Sequence, residues 1–167
     1  TALVINVGMA ALAFLIGGGG LGETISAGLK LQQDLVIITG AGGGLGAAHA
    51  RVLASEGACV VVNDINEAAA AKVVAEITAA GGKAVVNTSD ITNYDDSLNA
   101  VKQALDSFGD LHAVVNNAGI NRDRMFASMT EEDWDLIMAV HLKGHFCISS
   151  HAVHYWRGRS KEGKPVD

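Results

Sequence analysis

Glycines at positions 40, 42, 43, 44 and 46 follow directly on the apolar, β-branched run Leu35-Val36-Ile37-Ile38-Thr39. Such a run suits a strand buried on both faces of a parallel sheet, and the Ala-rich stretch Leu45 to Glu56 has the composition of a helix. A glycine turn between strand and helix leaves backbone N–H groups free, with the positive end of the helix dipole behind them. That arrangement holds a phosphate or diphosphate, and missing side chains let the anion reach the backbone. About 20 residues on, a second apolar strand, Ala58 to Asn63, ends in Asp64. A carboxylate there can accept from both hydroxyls of an adenosine ribose and would repel a 2′-phosphate. With no Arg or Lys beside Asp64, the pair of features favours NAD over NADP. The plainer alternative for Asp64 is a helix cap or a solvated strand end.

The spacing narrows the choice. G-x-G-x-x-G started at Gly40 fails, because its last place falls on Leu45, and a P-loop fails on Gly46-Ala47-Ala48. What fits is Thr39-Gly40-x-x-x-Gly44-x-Gly46, joined further on by Asn116-Asn117-Ala118-Gly119. From Lys30 to the C-terminus the chain resembles the short-chain dehydrogenase/reductase family, whose Rossmann domains open with T-G-x-x-x-G-x-G and carry N-N-A-G after the fourth strand. The resemblance implies an α/β Rossmann-type doubly wound parallel sheet, present here as its N-terminal part. It implies a cofactor site of Thr39, Gly40, Gly42, Gly43, Gly44, Leu45, Gly46, Asp64, Asp90, Ile91, Asn116, Asn117, Ala118 and Gly119. In it Asp90 would meet the adenine amino group, Ile91 would lie against the ring, and Asn116 to Gly119 would line the nicotinamide end.

The implied activity is hydride transfer between NAD(H) and a secondary alcohol or ketone, as an NAD-dependent oxidoreductase. Many relatives place at His141 an asparagine that holds a water in the proton relay. A subset similar to the 3-hydroxyacyl-CoA dehydrogenase units of multifunctional β-oxidation enzymes has His there. It shares Arg122-Asp123-Arg124 and Val140-His141-Leu142 with this chain. Histidine can still give or take a proton, so His141 is the catalytic candidate in hand, and a 3-hydroxyacyl thioester or a hydroxysteroid is the substrate class. The family's Ser and Tyr-x-x-x-Lys are not found. Tyr155 is followed four places on by Arg159, and Ser149, Ser150 and Ser160 precede the expected fifth strand. Residues 1–167 alone are therefore expected to be incomplete at the C-terminus and inactive. A dinucleotide-binding module without catalysis, a cofactor sensor or an assembly part, is the alternative.

The elements that must position these residues follow in order. A helix is expected from Glu67 to Ala80, stopped by Gly81-Gly82, then a strand from Lys83 to Asn87. A helix from Asn93 to Phe108 and a strand from Leu111 to Val115 complete four strand–helix alternations, which predict a parallel sheet with right-handed crossovers. Thr130 and Asp133 have capping-box spacing at the head of a long helix through Trp134, Ile137, Met138, Leu142 and Phe146 toward Tyr155-Trp156. In the resembled family this helix joins subunits, so a homo-oligomer, dimer or tetramer, is implied. His141 and His145 stand one turn apart, but no Glu accompanies them as in a zinc-protease helix, and no metal is expected.

Composition bounds the rest. With 167 residues there is room for one domain with a core. A net charge of −6 argues against a nucleic-acid partner and leaves a small-molecule substrate. Cys59 and Cys147 lie far apart, so no disulfide and a reducing cytoplasm are expected. Residues 1–22 carry no charge and are long enough for a membrane span, although Asn6 and Gly8 interrupt them and no basic residue precedes Lys30. A G-x-G-x-x-G at Gly17, Gly19 and Gly22 lies too close to the next strand for a second βαβ unit. Three readings of this stretch stay open: an element packed on the domain or its partner, a membrane anchor, or the vestige of an upstream domain. The expected organisation is an apolar, Gly-rich segment over 1–29 and an NAD(P)-binding Rossmann domain over 30–167.

Overall fold

The computed structural model describes residues 3–6 and 34–164. Its strands are β1 (Leu3–Asn6), β2 (Leu35–Thr39), β3 (Cys59–Asn63), β4 (Lys83–Asn87) and β5 (Ala113–Asn116). Its helices are α1 (Gly44–Ser55), α2 (Glu67–Ala79), α3 (Tyr94–Phe108), α4 (Glu131–Met138) and α5 (His145–Lys161). All strands run parallel in the order β1-β5-β2-β3-β4. The chain steps outward from β2 through β3 to β4, then returns to the other flank of β2 as β5. The strand order therefore reverses between β2 and β5, and in open α/β sheets ligands bind beside such a reversal.

Alternation along the strands feeds two cores. Val36, Ile38, Val60 and Val62 pack against Ala47, Ala50 and Ala54 of α1 and Ala70, Val73 and Ile77 of α2. Ile37, Val61 and Val114 face the opposite way, onto Ala100, Val101 and Ala104 of α3 and Ile148 and Ala152 of α5. Small residues on the helices let both layers lie close to the sheet. Every residue of β2 and β3 is buried, as their unbroken apolar runs predict.

Several expectations shift. The fourth expected strand moves from Leu111–Val115 to Ala113–Asn116, because Leu111 and His112 are drawn toward the start of β2. His112 accepts at Nδ1 from Leu35 N–H (3.0 Å) and donates its own N–H to the Leu35 carbonyl (2.9 Å). The long C-terminal helix is not continuous: a π-helical segment, Ala139–Gly144, separates α4 from α5. Nor is its apolar stripe packed in this chain's core, since Trp134, Met138, Leu142 and Phe146 are exposed. The Thr130–Asp133 capping box does form. Of residues 1–22, Leu3–Asn6 form β1, paired with β5 from Leu3↔Ala113 to Asn6↔Asn116. The second glycine motif at 17–22 and the rest of the proposed anchor lie outside the described residues. Among the described residues, no helix is long and apolar enough to cross a membrane.

The end of α5 is clamped to the turn before β5. Tyr155 donates its hydroxyl to Asp110 Oδ1 (2.5 Å), Trp156 Nε1–H donates to the Leu111 carbonyl (2.6 Å), and Arg159 pairs with Asp110 Oδ2 (3.3 Å). Burial, and then the bond to the Asp110 carboxylate, push the Tyr155 phenol up to about 12 from 10.0. The folded state thus favours the protonated phenol, a contribution present below pH 10.0 and lost as pH rises through about 12. Tyr155→Phe should lose less stability than wild type across that interval in urea-unfolding midpoints; equal slopes would place the phenol outside the clamp.

Candidate functional site

The site begins with how the glycine turn is held. Thr39 ends β2 fully buried, and its Oγ1 accepts the N–H groups of Asn117 and Ala118, each at 3.0 Å. Asn117 Nδ2 in turn donates to the carbonyls of Thr39 (3.0 Å) and Gly40 (3.1 Å). The segment after β5 is thereby stitched to the turn after β2 across the reversal of strand order. Glycine is required where the stitch is tightest. A Cβ on Gly40, whose φ is +62°, would stand 2.7 Å from Ala118 Cα, and one on Gly46 would stand 2.3 Å from the Gly40 carbonyl oxygen. Thr39 and Asn116 are fully buried, so the structure sets them behind the turn, not on its open face. Asn116 Nδ2 donates to Ser149 Oγ of α5 at 2.9 Å.

The open face belongs to Gly43 and Gly44, where an added Cβ would meet nothing within 4 Å among the described residues. Gly43 is the N-cap of α1, and having no side chain it makes no cap bond there. The contrast is internal: Asn66 caps α2, Asn93 caps α3 and Thr130 caps α4, each through its side chain. Gly42 is different again, because its N–H donates to Asp64 Oδ2 at 2.9 Å. The other oxygen of Asp64 accepts from Asn66 N–H at 2.9 Å. Asp64 is thus a half-buried carboxylate fixed at the rim of the turn, and each oxygen keeps a further lone pair for an incoming hydroxyl. Leu45, at the rim, is partly exposed.

Other expected site residues are placed less directly. Asp90 Oδ1 accepts from the N–H and hydroxyl of Thr92, both at 2.8 Å, which makes it the anchor of a local turn. Ile91 is buried in the core shared by α3 and α5, and its Cδ1 lies 2.9 Å from where a Cβ on Gly144 would stand. His141 sits in the π-helical segment, a distortion that often accompanies function. Its Nε2 lies 3.0 Å from Ile120 N and 2.8 Å from Ile120 O, so it serves one or the other according to its tautomer. Its ring fills the space above Gly119, 2.7 Å from a Cβ there. The structure therefore gathers the glycine turn, Asp64, Asn116 to Gly119 and His141 around one reversal, with Asp90 and Ile91 on the loop after β4.

Sequence reasoning did not find the Thr39 latch, the π segment, or a polar row along the carboxyl ends of the strands. In that row Asn63 Nδ2 donates to Asn87 Oδ1 (2.7 Å) and to the Ser89 carbonyl (2.9 Å), and Asn87 Nδ2 donates to Gln103 Oε1 (2.8 Å). The signal was an asparagine at the last position of four strands, at 6, 63, 87 and 116. Nor did it find Ile65, which stands 77% exposed beside Asp64. Tyr155 has its hydroxyl on Asp110, on the helix expected to precede the family's fifth strand.

Parallel strands wound outward and back around β2, with a bare helix start at the reversal, define a Rossmann-like α/β fold. The chain belongs to the short-chain dehydrogenase family, whose model matches residues 34–166. It is 45% identical over 139 residues to the hydroxyacyl-CoA dehydrogenase ChsB1 of Mycobacterium tuberculosis, covering 80% of this chain and 44% of that one. It is 47% identical over 130 residues to the peroxisomal multifunctional enzyme type 2 of Mus musculus, covering 72% of this chain and 17% of that one. The crystal structure of a short chain dehydrogenase from Mycobacterium avium superposes with a TM-score of 0.79 at 51% identity, over 82% of this chain and 52% of that one. The chain thus spans about half or less of the length of these relatives.

The latch predicts a stability effect. Thr39→Val removes the acceptor for two N–H groups behind the turn and should cost about 2 kcal/mol or more, several degrees in Tm, while Thr39→Ser should cost less. Equal Tm for Thr39→Val and wild type would show that the hydroxyl holds nothing.

Proposed function

We propose that this chain carries the cofactor-binding part of an oxidoreductase that moves a hydride between NAD(H) and a secondary alcohol or ketone. One observation carries the reading: the glycine turn at the strand reversal opens a helix whose N-cap is a bare glycine, with Asp64 fixed 2.9 Å from its Gly42 nitrogen. The residues present fit a dinucleotide. Gly43, Gly44 and Leu45 offer backbone N–H groups and the positive helix end to the diphosphate. Asp64 accepts from the adenosine ribose, and the exposed side chain of Ile65 offers an apolar face to the base. The Asp90–Ile91 loop closes the adenine end, and Asn117 to Gly119 floor the nicotinamide end.

When bound, the nicotinamide supplies the site that gives or takes the hydride. The chain's own part is to orient it. His141, hydrogen-bonded to Ile120 beside that floor, holds or passes a proton at Nε2. The names of the relatives, a hydroxyacyl-CoA dehydrogenase and a multifunctional peroxisomal enzyme, favour a 3-hydroxyacyl thioester as substrate over a hydroxysteroid. The exposed stripe of Trp134, Met138, Leu142 and Phe146 supports pairing with a second copy. Cys59 and Cys147, buried and free, fit a reducing compartment such as the cytoplasm, and the peroxisomal relatives make the peroxisome the alternative.

Titration with NADH and NADPH, followed by nicotinamide fluorescence, tests the reading. NADH should bind about tenfold or more tightly, the worth of a charge-assisted hydrogen bond. Asp64→Ala should narrow that ratio. Equal affinities in wild type would overturn the choice of cofactor, and an unchanged ratio in the variant would remove Asp64 from the site.

A further inference from the structure

His145 has no role in the reading above, yet it acts on the residue that backs the glycine turn. Its Nε2 lies 3.1 Å from the Ala118 carbonyl oxygen. A carbonyl only accepts, so Nε2 carries the hydrogen and donates it. Ala118 also gives its N–H to Thr39 Oγ1 at 3.0 Å, and its Cα stands 2.7 Å from the Cβ position of Gly40. Three neighbours therefore fix this one residue: the end of β2, the first glycine of the turn, and the outer helix through His145. One residue on, Gly119 is exposed under the ring of His141, whose centroid is 6.4 Å from that of His145. The two imidazoles meet the backbone of the residues on either side of Gly119, His145 at Ala118 and His141 at Ile120.

The placement of this grip matters more than its strength. Asp64 follows β3 on one flank of β2, and Ala118 to Ile120 follow β5 on the other. A dinucleotide with its diphosphate at the start of α1 and its adenosine ribose at Asp64 lays its other half across Ala118 to Ile120. We propose that His145 is a positioning residue for that half. By holding the Ala118 carbonyl toward α5, it sets the floor beneath the nicotinamide ribose without touching the cofactor. The inference rests on the NAD reading and adds to it a residue that no cofactor contact would reveal.

Two probes separate the halves: NADH reads both, whereas ADP reads the diphosphate and adenosine alone. His145→Leu removes the donor, and His145→Gln returns an N–H of similar reach. Loss of the donor should weaken NADH about five- to tenfold and leave ADP within about twofold, and His145→Gln should restore most of the NADH affinity. His145→Ala is read in the same way if the leucine variant does not fold. Unchanged NADH affinity in the donor-less variants would overturn the proposal. So would a parallel loss of NADH, ADP and Tm, or a failure of His145→Gln to restore binding. Wild type that binds neither NADH nor NADPH would bring down the cofactor reading and this role together; wild type that binds, with an indifferent variant, removes His145 alone.

Discussion

The hydroxyl of Thr39 is the point on which the site hangs. It lies at the end of the central strand, fully buried, and accepts two backbone N–H groups from the segment that follows β5. Those donors sit where the sheet reverses its winding, a place where no ladder bond is available to them. An apolar residue of the same shape would leave them unpaired in a dry interior, which costs more than the bond itself contributes. The side chain of Asn117 closes the latch from the other side, onto the Thr39 and Gly40 carbonyls. Gly40 and Gly46 are glycines because this latch leaves no space for a Cβ. Gly43 and Gly44 are different: among the described residues nothing stands within 4 Å of a Cβ placed on either.

That difference gives the site its electrostatics. Each of α2, α3 and α4 satisfies its first turn with a side chain of its own, an asparagine or a threonine. The start of α1 is left bare. A bare helix start carries a partial positive charge and unpaired donors, and it gains most from an anion brought to it. Asp64 stands beside it. Its carboxylate is held at the rim by Gly42 and Asn66. A partial positive charge and a fixed negative one thus lie within one turn of each other.

The outer layer does a second job. The π-helical segment brings His141 over Gly119, and the start of α5 brings His145 to Ala118, so the outer layer reaches the segment after β5 twice. Gly144 permits the approach, since a side chain there would strike Ile91. The stretch from α4 through α5 turns Trp134, Leu142 and Phe146 outward. Its inner face meets Ala118 and Ile120, and its outer face remains apolar.

The alternation of strand and helix, the parallel sheet and the glycine turn were legible in the residues themselves. Period and composition are local quantities, and β2, β4 and the Thr130–Asp133 capping box fall where those quantities put them. The family, too, could be read from Thr39 to Gly46 and from Asn116 to Gly119. What the sequence could not state was the pairing of those two motifs, because the bonds between them join residues 77 to 79 positions apart. The π-helical segment at Ala139–Gly144 was equally hidden, since an apolar period of three and four reads the same through it. An apolar stripe reads the same whether it faces a core or water, so only the packed structure showed that Leu142 and Phe146 face outward. Local chemistry determined the parts; contacts across the reversal of the sheet decided which of them meet.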